Sequence, residues 1–211
     1  MRDALRSEII EPSRPGALQD GREKRGAARY TLLIRAAKLI CPEGEFMCIV
    51  RDASEYGVNI RLFHPLPDCG ALLMEMQNGD QHELELIWQD QDRAGLRFFN
   101  DADIARIVES PSRFSKRPVR INLKGLPAVI EAGGQRVEVQ LHDLSQQGAK
   151  LSSTARFAID QRVKISGPGL PQVNAKIRWR RGDAYGLVFE DTFQFGDLAR
   201  IVAMMQGAVR P

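Results

Sequence analysis

The sequence matches itself at a constant offset of 91 residues, so most of the chain is present twice. Trp88 corresponds in this way to Trp179, and similar tails follow three residues out of this register, DIARIV at 103–108 and DLARIV at 197–202. A match that spans several kinds of element indicates a duplicated domain, and two copies are too few for a solenoid. Each copy must therefore enclose its own core, and the 211 residues suffice for two domains of about 100 residues.

Short runs of alternating apolar and polar side chains predict β-strands within each copy. The clearest runs are GVNIRLF (57–63), LELIW (84–88), VEVQLHDL (137–144) and AKIRW (175–179). Turn-forming residues separate these runs, which is typical of an antiparallel barrel or sandwich in each half. We expect the two tryptophans to lie in the cores of these β structures.

A helix is predicted at the end of each copy. The first helix runs over about 101–109 with Asp101 as its N-cap, and the second runs over about 192–206. The chain then divides into a first domain (21–110) and a second domain (111–211), joined by the linker SPSRFSK (110–116). Residues 1–20 have few periodic apolar positions, which predicts a flexible tail.

Composition limits the classes of protein that the chain can represent. Its 43% apolar and 27% charged residues are those of a soluble globular protein. A net charge of +3 disfavours nucleic acid as a general partner, and no segment approaches the ~20 apolar residues of a membrane span. The three cysteines form no CxxC pair and the histidines have no ligand spacing, so we expect no metal and a cytoplasmic location.

The motif DxSxxG occurs in both copies, as DASEYG (52–57) and DLSQQG (143–148), although composition predicts only about 0.06 occurrences. Asp and Ser two residues apart on a strand face the same side, and the carboxylate can accept the two adjacent N–H groups of a guanine edge. The glycine would permit a positive φ and a close approach of a ligand. The alternative is a turn whose side chains satisfy only the local backbone.

An RxxxR pair precedes each of these motifs: Arg25 and Arg29 in the first copy, Arg113 and Arg117 in the second. The planar guanidinium can bind guanine O6 and N7 or phosphate oxygens. About 2.5 such pairs are expected by chance, so the information lies in the order of the motifs. No GxSxG, P-loop or GxGxxG occurs, which predicts a binding protein rather than an enzyme. By strand alternation His142 should face away from Asp143.

The order RxxxR, DxSxxG, a strand with Trp and a Gly-x-x-Phe strand resembles the PilZ domain, here in two copies over about 22–110 and 112–208. The resemblance implies a mainly β fold with two six-stranded antiparallel β-barrels, each followed by an α-helix. It also implies a receptor for cyclic di-GMP, often bound as an intercalated dimer. The ligand-binding residues that it implies are Arg25, Arg29, Asp52, Ser54 and Gly57 at the first site and Arg113, Arg117, Asp143, Ser145 and Gly148 at the second.

The expected function is a bacterial signalling receptor in which dinucleotide binding reorients the two barrels. Arg113 and Arg117 support this expectation because they lie in or next to the linker. The output would be a protein partner in motility, exopolysaccharide or biofilm control. The alternative is a ligand-independent adaptor that docks proteins on PilZ-like barrels. The apolar faces of the two helices could pack on their own barrels or on a second chain, so a homo-oligomer is a further alternative.

Overall fold

The structure, a computed structural model, describes residues 30–109 and 118–207, with side chains at 35–107 and 118–207. The predicted tail (1–20) and linker (110–116) lie outside these residues, as do parts of both predicted domain boundaries. No helix in the described part of the chain is long and apolar enough to cross a membrane.

The first copy forms a closed antiparallel barrel with the strand order β1-β2-β3-β6-β5-β4, in which β4 pairs with β1. Alternate residues of its strands point inward, as the alternating sequence pattern predicts. The elements are β1 (Tyr30–Cys41), β2 (Gly44–Ser54), β3 (Gly57–Arg61), β4 (Ala71–Met76), β5 (Gln81–Asp90), β6 (Arg93–Phe98) and the helix α1 (Ile104–Glu109).

The second copy forms a closed barrel with the corresponding order β7-β8-β9-β12-β11-β10. Two six-stranded antiparallel barrels, each followed by a helix, are therefore confirmed. The elements are β7 (Arg120–Ala132), β8 (Gln135–Ser145), β9 (Gly148–Ser152), β10 (Arg162–Gly167), β11 (Leu170–Arg181), β12 (Ala184–Phe189) and the helix α2 (Phe195–Met205).

The two helices begin later than predicted. The carboxylate of Asp103 accepts a hydrogen bond from the backbone N–H of Ala105 at 3.0 Å. The N-cap of α1 is thus Asp103, and the prediction of Asp101 was wrong because α1 begins only at Ile104. Helix α2 begins at Phe195, about three residues after its predicted start.

The expectation that both tryptophans lie in the cores was wrong. Trp88 is 44% exposed and Trp179 is 38% exposed. The pairing of β5 with β6 shifts by one residue between Leu86 and Trp88, and β11 and β12 shift likewise just before Trp179. Such a bulge reverses the alternation, so each indole turns outward and covers a glycine of the neighbouring strand.

Helix α2 belongs to the cores of both barrels. Leu198 and Val202 are fully buried in the core of the second barrel, whereas Ala203 is fully buried in the core of the first. In the opposite direction, Met47 on β2 of the first barrel packs into the second core. The two barrels are therefore joined by apolar packing as well as by the chain.

Polar and aromatic contacts reinforce this junction. The backbone N–H of Glu45 donates to Oε1 of Gln206 at 2.9 Å, and Nε2 of Gln206 donates to the carbonyl of Glu45 at 2.8 Å. The rings of Phe63 and Phe195 lie 5.6 Å apart between centroids. Because Gln206 satisfies both backbone groups of one residue on β2, the end of α2 is held against the first barrel.

The free energy of unfolding should fall as the pH drops below about 6.5, and His64 should contribute to this fall. Burial lowers the pKa of His64, against the opposing effect of its hydrogen bond to the carbonyl of Pro65. Its Nε2 has no hydrogen-bond partner in the described part of the chain. The unfolded chain therefore takes up a proton before the folded protein does, at a cost of at most about 1.4 kcal/mol per pH unit for this residue.

Urea denaturation at a series of pH values between 7.5 and 5, in about half-unit steps, measures this effect. His64→Gln removes the titrating group and should flatten the pH dependence. Burial also lowers the pKa of His82, so the stability of this variant should still depend on pH, more weakly and with the same sign. An identical pH profile for wild type and His64→Gln would contradict the role of His64.

Candidate functional site

Both DxSxxG motifs form the tight turn between two strands of a barrel. The hydroxyl of Ser54 donates to the carbonyl of Gly57 at 3.3 Å, and that of Ser145 donates to the carbonyl of Gly148 at 3.1 Å. Each serine thus closes its own turn, as the alternative interpretation of the motif predicts. The serine oxygens keep lone pairs, but their protons point to the backbone.

The glycines of the motifs are required by packing rather than by backbone conformation. Neither Gly57 nor Gly148 has a positive φ, so that part of the sequence interpretation was wrong. A Cβ on Gly57 would lie 2.3 Å from the carbonyl oxygen of Leu96, and one on Gly148 would lie 2.1 Å from that of Leu187. The neighbouring strand therefore approaches too closely for any side chain.

A bulge precedes the aspartate of each motif and sets its direction. The register of β2 with β3 shifts between Val50 and Asp52, and that of β8 with β9 shifts between Leu141 and Asp143. The shift also affects His142, which lines the same cavity as Asp143 and contacts Ser152 through Nε2 at 2.8 Å. The prediction that His142 faces away was wrong because the bulge breaks the alternation.

Asp143 lies in a cavity of about 580 Å³ between the two barrels. The carboxylate accepts a hydrogen bond from Nη1 of Arg120 at 2.5 Å. The residues of the first barrel that line the cavity lie on β1, on β2 and at the end of β4. Those of the second barrel lie at the start of β7, at the end of β8 and on β9. The charged residues around the cavity are Lys38, Glu45, Glu75, Arg120, Asp143 and Lys150.

Hydrogen bonds across the cavity tie the barrels together. Lys38 lies 3.1 Å from Glu45 and 3.4 Å from Glu75, and its Nζ also donates to the carbonyl of Arg120 at 3.4 Å. The carboxylate of Glu45 accepts the backbone N–H of Asn122 at 2.8 Å. A ligand that enters this cavity would thus contact groups whose partners are on the other barrel.

Arg120 is the site residue that the sequence interpretation missed. The register places Arg120 opposite Ser145, and the offset of 91 relates Arg120 to Arg29. Arg120 precedes Asp143 by the same distance as Arg29 precedes Asp52, whereas Arg117 is three residues further away. Extending the repeat offset upstream to the arginines would have found it.

The first motif opens on a separate, smaller cavity of about 310 Å³. Within the described ranges the carboxylate of Asp52 has no hydrogen bond or ion pair, and Trp88 and Arg97 also line this cavity. Arg97 is itself ion-paired with Glu85. Among the described residues, the first cavity therefore offers a carboxylate without a partner beside an exposed indole, unlike the paired carboxylate of the second.

The four arginines of the RxxxR pairs lie outside the described residues: Arg25, Arg29, Arg113 and Arg117. The structure thus places Asp52, Ser54 and Gly57 around the smaller cavity, whereas of the second motif only Asp143 lines the larger one; Ser145 is fully buried in its turn. The contribution of these arginines stays a prediction.

The three cysteines do not resemble catalytic nucleophiles. Cys48 is fully buried, and burial raises the pKa of its thiol to about 12. Burial also raises the thiol pKa values of Cys41 and Cys69. These thiols are protonated at neutral pH, whereas nucleophilic cysteines are thiolates.

Comparison with known proteins identifies the second barrel. The PilZ domain profile matches residues 112–207, the whole of that barrel and helix α2. The carboxy-terminal half of the chain belongs to the PilZ domain family. The first barrel repeats the same strand order and the same motif, so the two barrels fit a tandem PilZ architecture.

Several solved structures are similar to this chain over most of its length. The PlzA protein of Borreliella burgdorferi in complex with c-di-GMP is 13% identical, with 82% of this chain and 87% of that chain covered and a TM-score of 0.35. YcgR from Escherichia coli in complex with c-di-GMP is 12% identical, with 82% and 83% covered and a TM-score of 0.31. The Bacillus subtilis inhibitor of motility MotI/DgrA is 12% identical, with 85% and 98% covered and a TM-score of 0.36. No curated protein sequence matches the chain.

Proposed function

We propose that the chain is a cyclic di-GMP receptor whose principal binding site is the cavity between the two barrels. The observation that carries this proposal is the position of Asp143, the aspartate of an intact PilZ motif, in a cavity of about 580 Å³ beside Arg120. Ligand cavities in proteins commonly have volumes of about 300–1,000 Å³. The family match to this barrel supports the choice of ligand.

Each charged group in the cavity has a role that suits the dinucleotide. The carboxylate of Asp143 would accept the N1–H and N2–H₂ groups of a guanine, and Arg120 would bind guanine O6 and N7 or a phosphate. Lys38 and Lys150, one from each barrel, would neutralise phosphates. Ser145 and Gly148 would shape the turn, and Arg113 and Arg117 would close over the ligand.

Binding at this site would exchange one set of partners for another. Asp143 and Arg120 now neutralise each other, so a guanine edge replaces the guanidinium at the carboxylate and the guanidinium turns to the ligand. Because the freed groups both gain new partners, neither charge is left unpaired in the cavity. Arg120 is about half exposed, which leaves it room to move.

The first site is proposed as a second, independent site for the same ligand. Asp52 would accept a guanine edge, with Arg25 and Arg29 supplying the guanidinium groups and Ser54 and Gly57 forming the turn. The absence of a partner for Asp52 within the described ranges supports this role. An intercalated dimer of cyclic di-GMP at each site is the form that the family implies.

Ligand binding would act as a switch because the main cavity is made by both barrels. A dinucleotide that replaces the contacts of Lys38 and Glu45 with the second barrel would change the free energy of barrel docking. The reoriented surface would bind a protein partner in the cytoplasm and control motility, exopolysaccharide or biofilm output. Apolar helix faces that become exposed could also support a homo-oligomer.

A ligand-independent adaptor is the second candidate function. The ion pair of Arg120 with Asp143 and the internal hydrogen bond of Ser145 favour it, because local partners already satisfy these groups. In that case the barrels would be protein-docking surfaces. Calorimetric titration with cyclic di-GMP separates the two candidates.

Arg120→Ala should weaken cyclic di-GMP binding about 5- to 150-fold at the interbarrel site, the loss of about 1–3 kcal/mol for one bidentate guanidinium contact. Arg120→Lys should not restore affinity because an ammonium group cannot form the planar fork. Isothermal titration calorimetry on the full chain measures both.

Arg162→Ala is the matched control, because Arg162 lies on the same barrel and contacts Glu190 at 3.5 Å but does not line the interbarrel cavity. It should bind as the wild type does. Equal affinity of Arg120→Ala and wild type would reject the site assignment. If titration of cyclic di-GMP into the wild-type chain produces no heat of binding, the ligand-independent adaptor is favoured.

A further inference from the structure

Three potential metal ligands lie close together beside the turn that connects β1 to β2. Cys41 is the last residue of β1, Glu43 lies in the two-residue turn to β2, and Cys69 lies in the loop that precedes β4. The two sulfur atoms and a carboxylate oxygen all lie within 4.8 Å of one another. The thiol of Cys69 donates a hydrogen bond to Oε2 of Glu43 at 3.0 Å.

We propose that Cys41, Glu43 and Cys69 form a Zn²⁺ site, with water as the fourth ligand. Thiolate and carboxylate are both zinc ligands, with Zn–S of about 2.3 Å and Zn–O of about 2.0–2.2 Å. In a tetrahedron these bond lengths place neighbouring ligand atoms about 3.5–3.8 Å apart. The ligand atoms of the cluster lie within 4.8 Å of one another, so the shift that each needs to reach this spacing is about 1 Å.

The identity of the donors selects the metal. Two sulfur ligands exclude Mg²⁺ and Ca²⁺, which prefer shells made of oxygen. No fourth protein ligand joins the cluster among the described residues. Cys69 is buried and Cys41 is half-buried, whereas Glu43 is exposed, so the open position faces solvent.

Zinc binding at this cluster would release two protons, and the step balances in charge. The two thiols lose their protons and bind as thiolates, and Glu43 binds as the carboxylate. One Zn²⁺ then gives a complex with a net charge of −1 and two protons in solution. No bond other than the coordination bonds forms, and nothing is oxidised or reduced.

The position of this cluster gives the metal a structural role. Glu43 is followed by Gly44, whose absent side chain leaves room for Gln206 of α2, and then by Glu45, which holds Gln206 through both backbone groups. A metal that fixes the turn at Glu43 would therefore fix the part of β2 to which α2 docks. Zinc should raise the thermal stability of the full chain.

Cobalt titration of the full-length protein, stripped with a chelator and kept reduced, tests the proposal. One equivalent of Co²⁺ should give a thiolate-to-cobalt charge-transfer band and the intense d–d bands of a tetrahedral site, and Zn²⁺ should abolish both. Cys41→Ser and Cys69→Ser should each weaken Zn²⁺ binding by more than about 100-fold, since losing even an outer-shell partner costs 10–100-fold. Glu43→Gln should weaken it by at least about 10-fold.

Cys48→Ala is the matched control because Cys48 is buried in the same barrel but is not part of the cluster. It should give the cobalt spectrum of the wild type. The proposal is overturned if Co²⁺ produces no thiolate band in the wild type, or if the double variant Cys41→Ser/Cys69→Ser binds zinc equally well. It is also overturned if the reduced protein binds no zinc and the two thiols only form a disulfide on oxidation.

Discussion

Gly148→Ala should lower the free energy of unfolding by about 3 kcal/mol, although it adds a single methyl group. The new Cβ would lie 2.1 Å from the carbonyl oxygen of Leu187 on β12. That oxygen cannot move away easily, because β12 pairs with β9 on one side and β11 on the other. Urea denaturation of the full chain measures the loss.

Gly70→Ala is the matched control for this substitution. Gly70 does not have a positive φ, and nothing lies within 4 Å of its would-be Cβ. Alanine there should leave the stability unchanged or raise it by about 0.4–1 kcal/mol, because it restricts the unfolded chain. A Gly148→Ala protein as stable as the wild type would show that the strands can separate, contrary to the packing account.

A consequence for experiments follows from the packing role of this glycine. A Gly148→Ala protein that fails to bind cyclic di-GMP would have lost its barrel rather than a ligand contact. Substitutions at Asp143 and Arg120 test the nucleotide site more directly, because these side chains end in the cavity and their backbone pairing is left intact.

Ala203→Asp should separate the two barrels and lower the stability of the chain by about 3–5 kcal/mol, the cost of an uncompensated buried charge. Ala203 is fully buried and packs into the core of the first barrel, although it lies on the helix of the second. The carboxylate can reach water only if α2 leaves its place on β2. Hydrogen exchange of β2 and α2 should therefore speed up, and the radius of gyration should increase.

Ala105→Asp provides the comparison, because Ala105 is an exposed alanine on α1. An added carboxylate in the first turn of a helix is neutral or slightly stabilising, so hydrogen exchange and the radius of gyration should not change. Unchanged exchange of β2 in Ala203→Asp would mean that α2 does not hold the barrels together.

The barrels were predictable from the sequence because the repeat and the strand alternation are local signals. The exceptions lie where one extra residue is inserted into a strand. Trp88 and His142 follow such bulges, and a strict two-residue period assigns both to the wrong face. A bulge depends on the pairing with a neighbouring strand, which a single run of residues does not specify.

The candidate site was predictable in part for a similar reason. The aspartates of both DxSxxG motifs were identified from spacing, and each lines a cavity. Arg120 was missed because the RxxxR pattern was already met by Arg117, although the offset of 91 residues relates Arg120 to Arg29, and the register of β7 with β8 places Arg120 opposite Ser145. The cluster of Cys41 with Cys69 has no sequence signature, since a loop distant in sequence completes it.

Helix α2 also bears on how a duplicated gene can change. Two copies can be recombined with other genes only while each encodes everything that its own fold needs. Within the described residues α1 spans Ile104–Glu109 and α2 spans Phe195–Met205, and of the two it is α2 that is seen to reach the core of the other copy. Loss of the second copy would expose the part of the first core that Ala203 covers. Selection on either copy therefore acts on the stability of both. Deletion of one copy would not restore a stable single-domain protein.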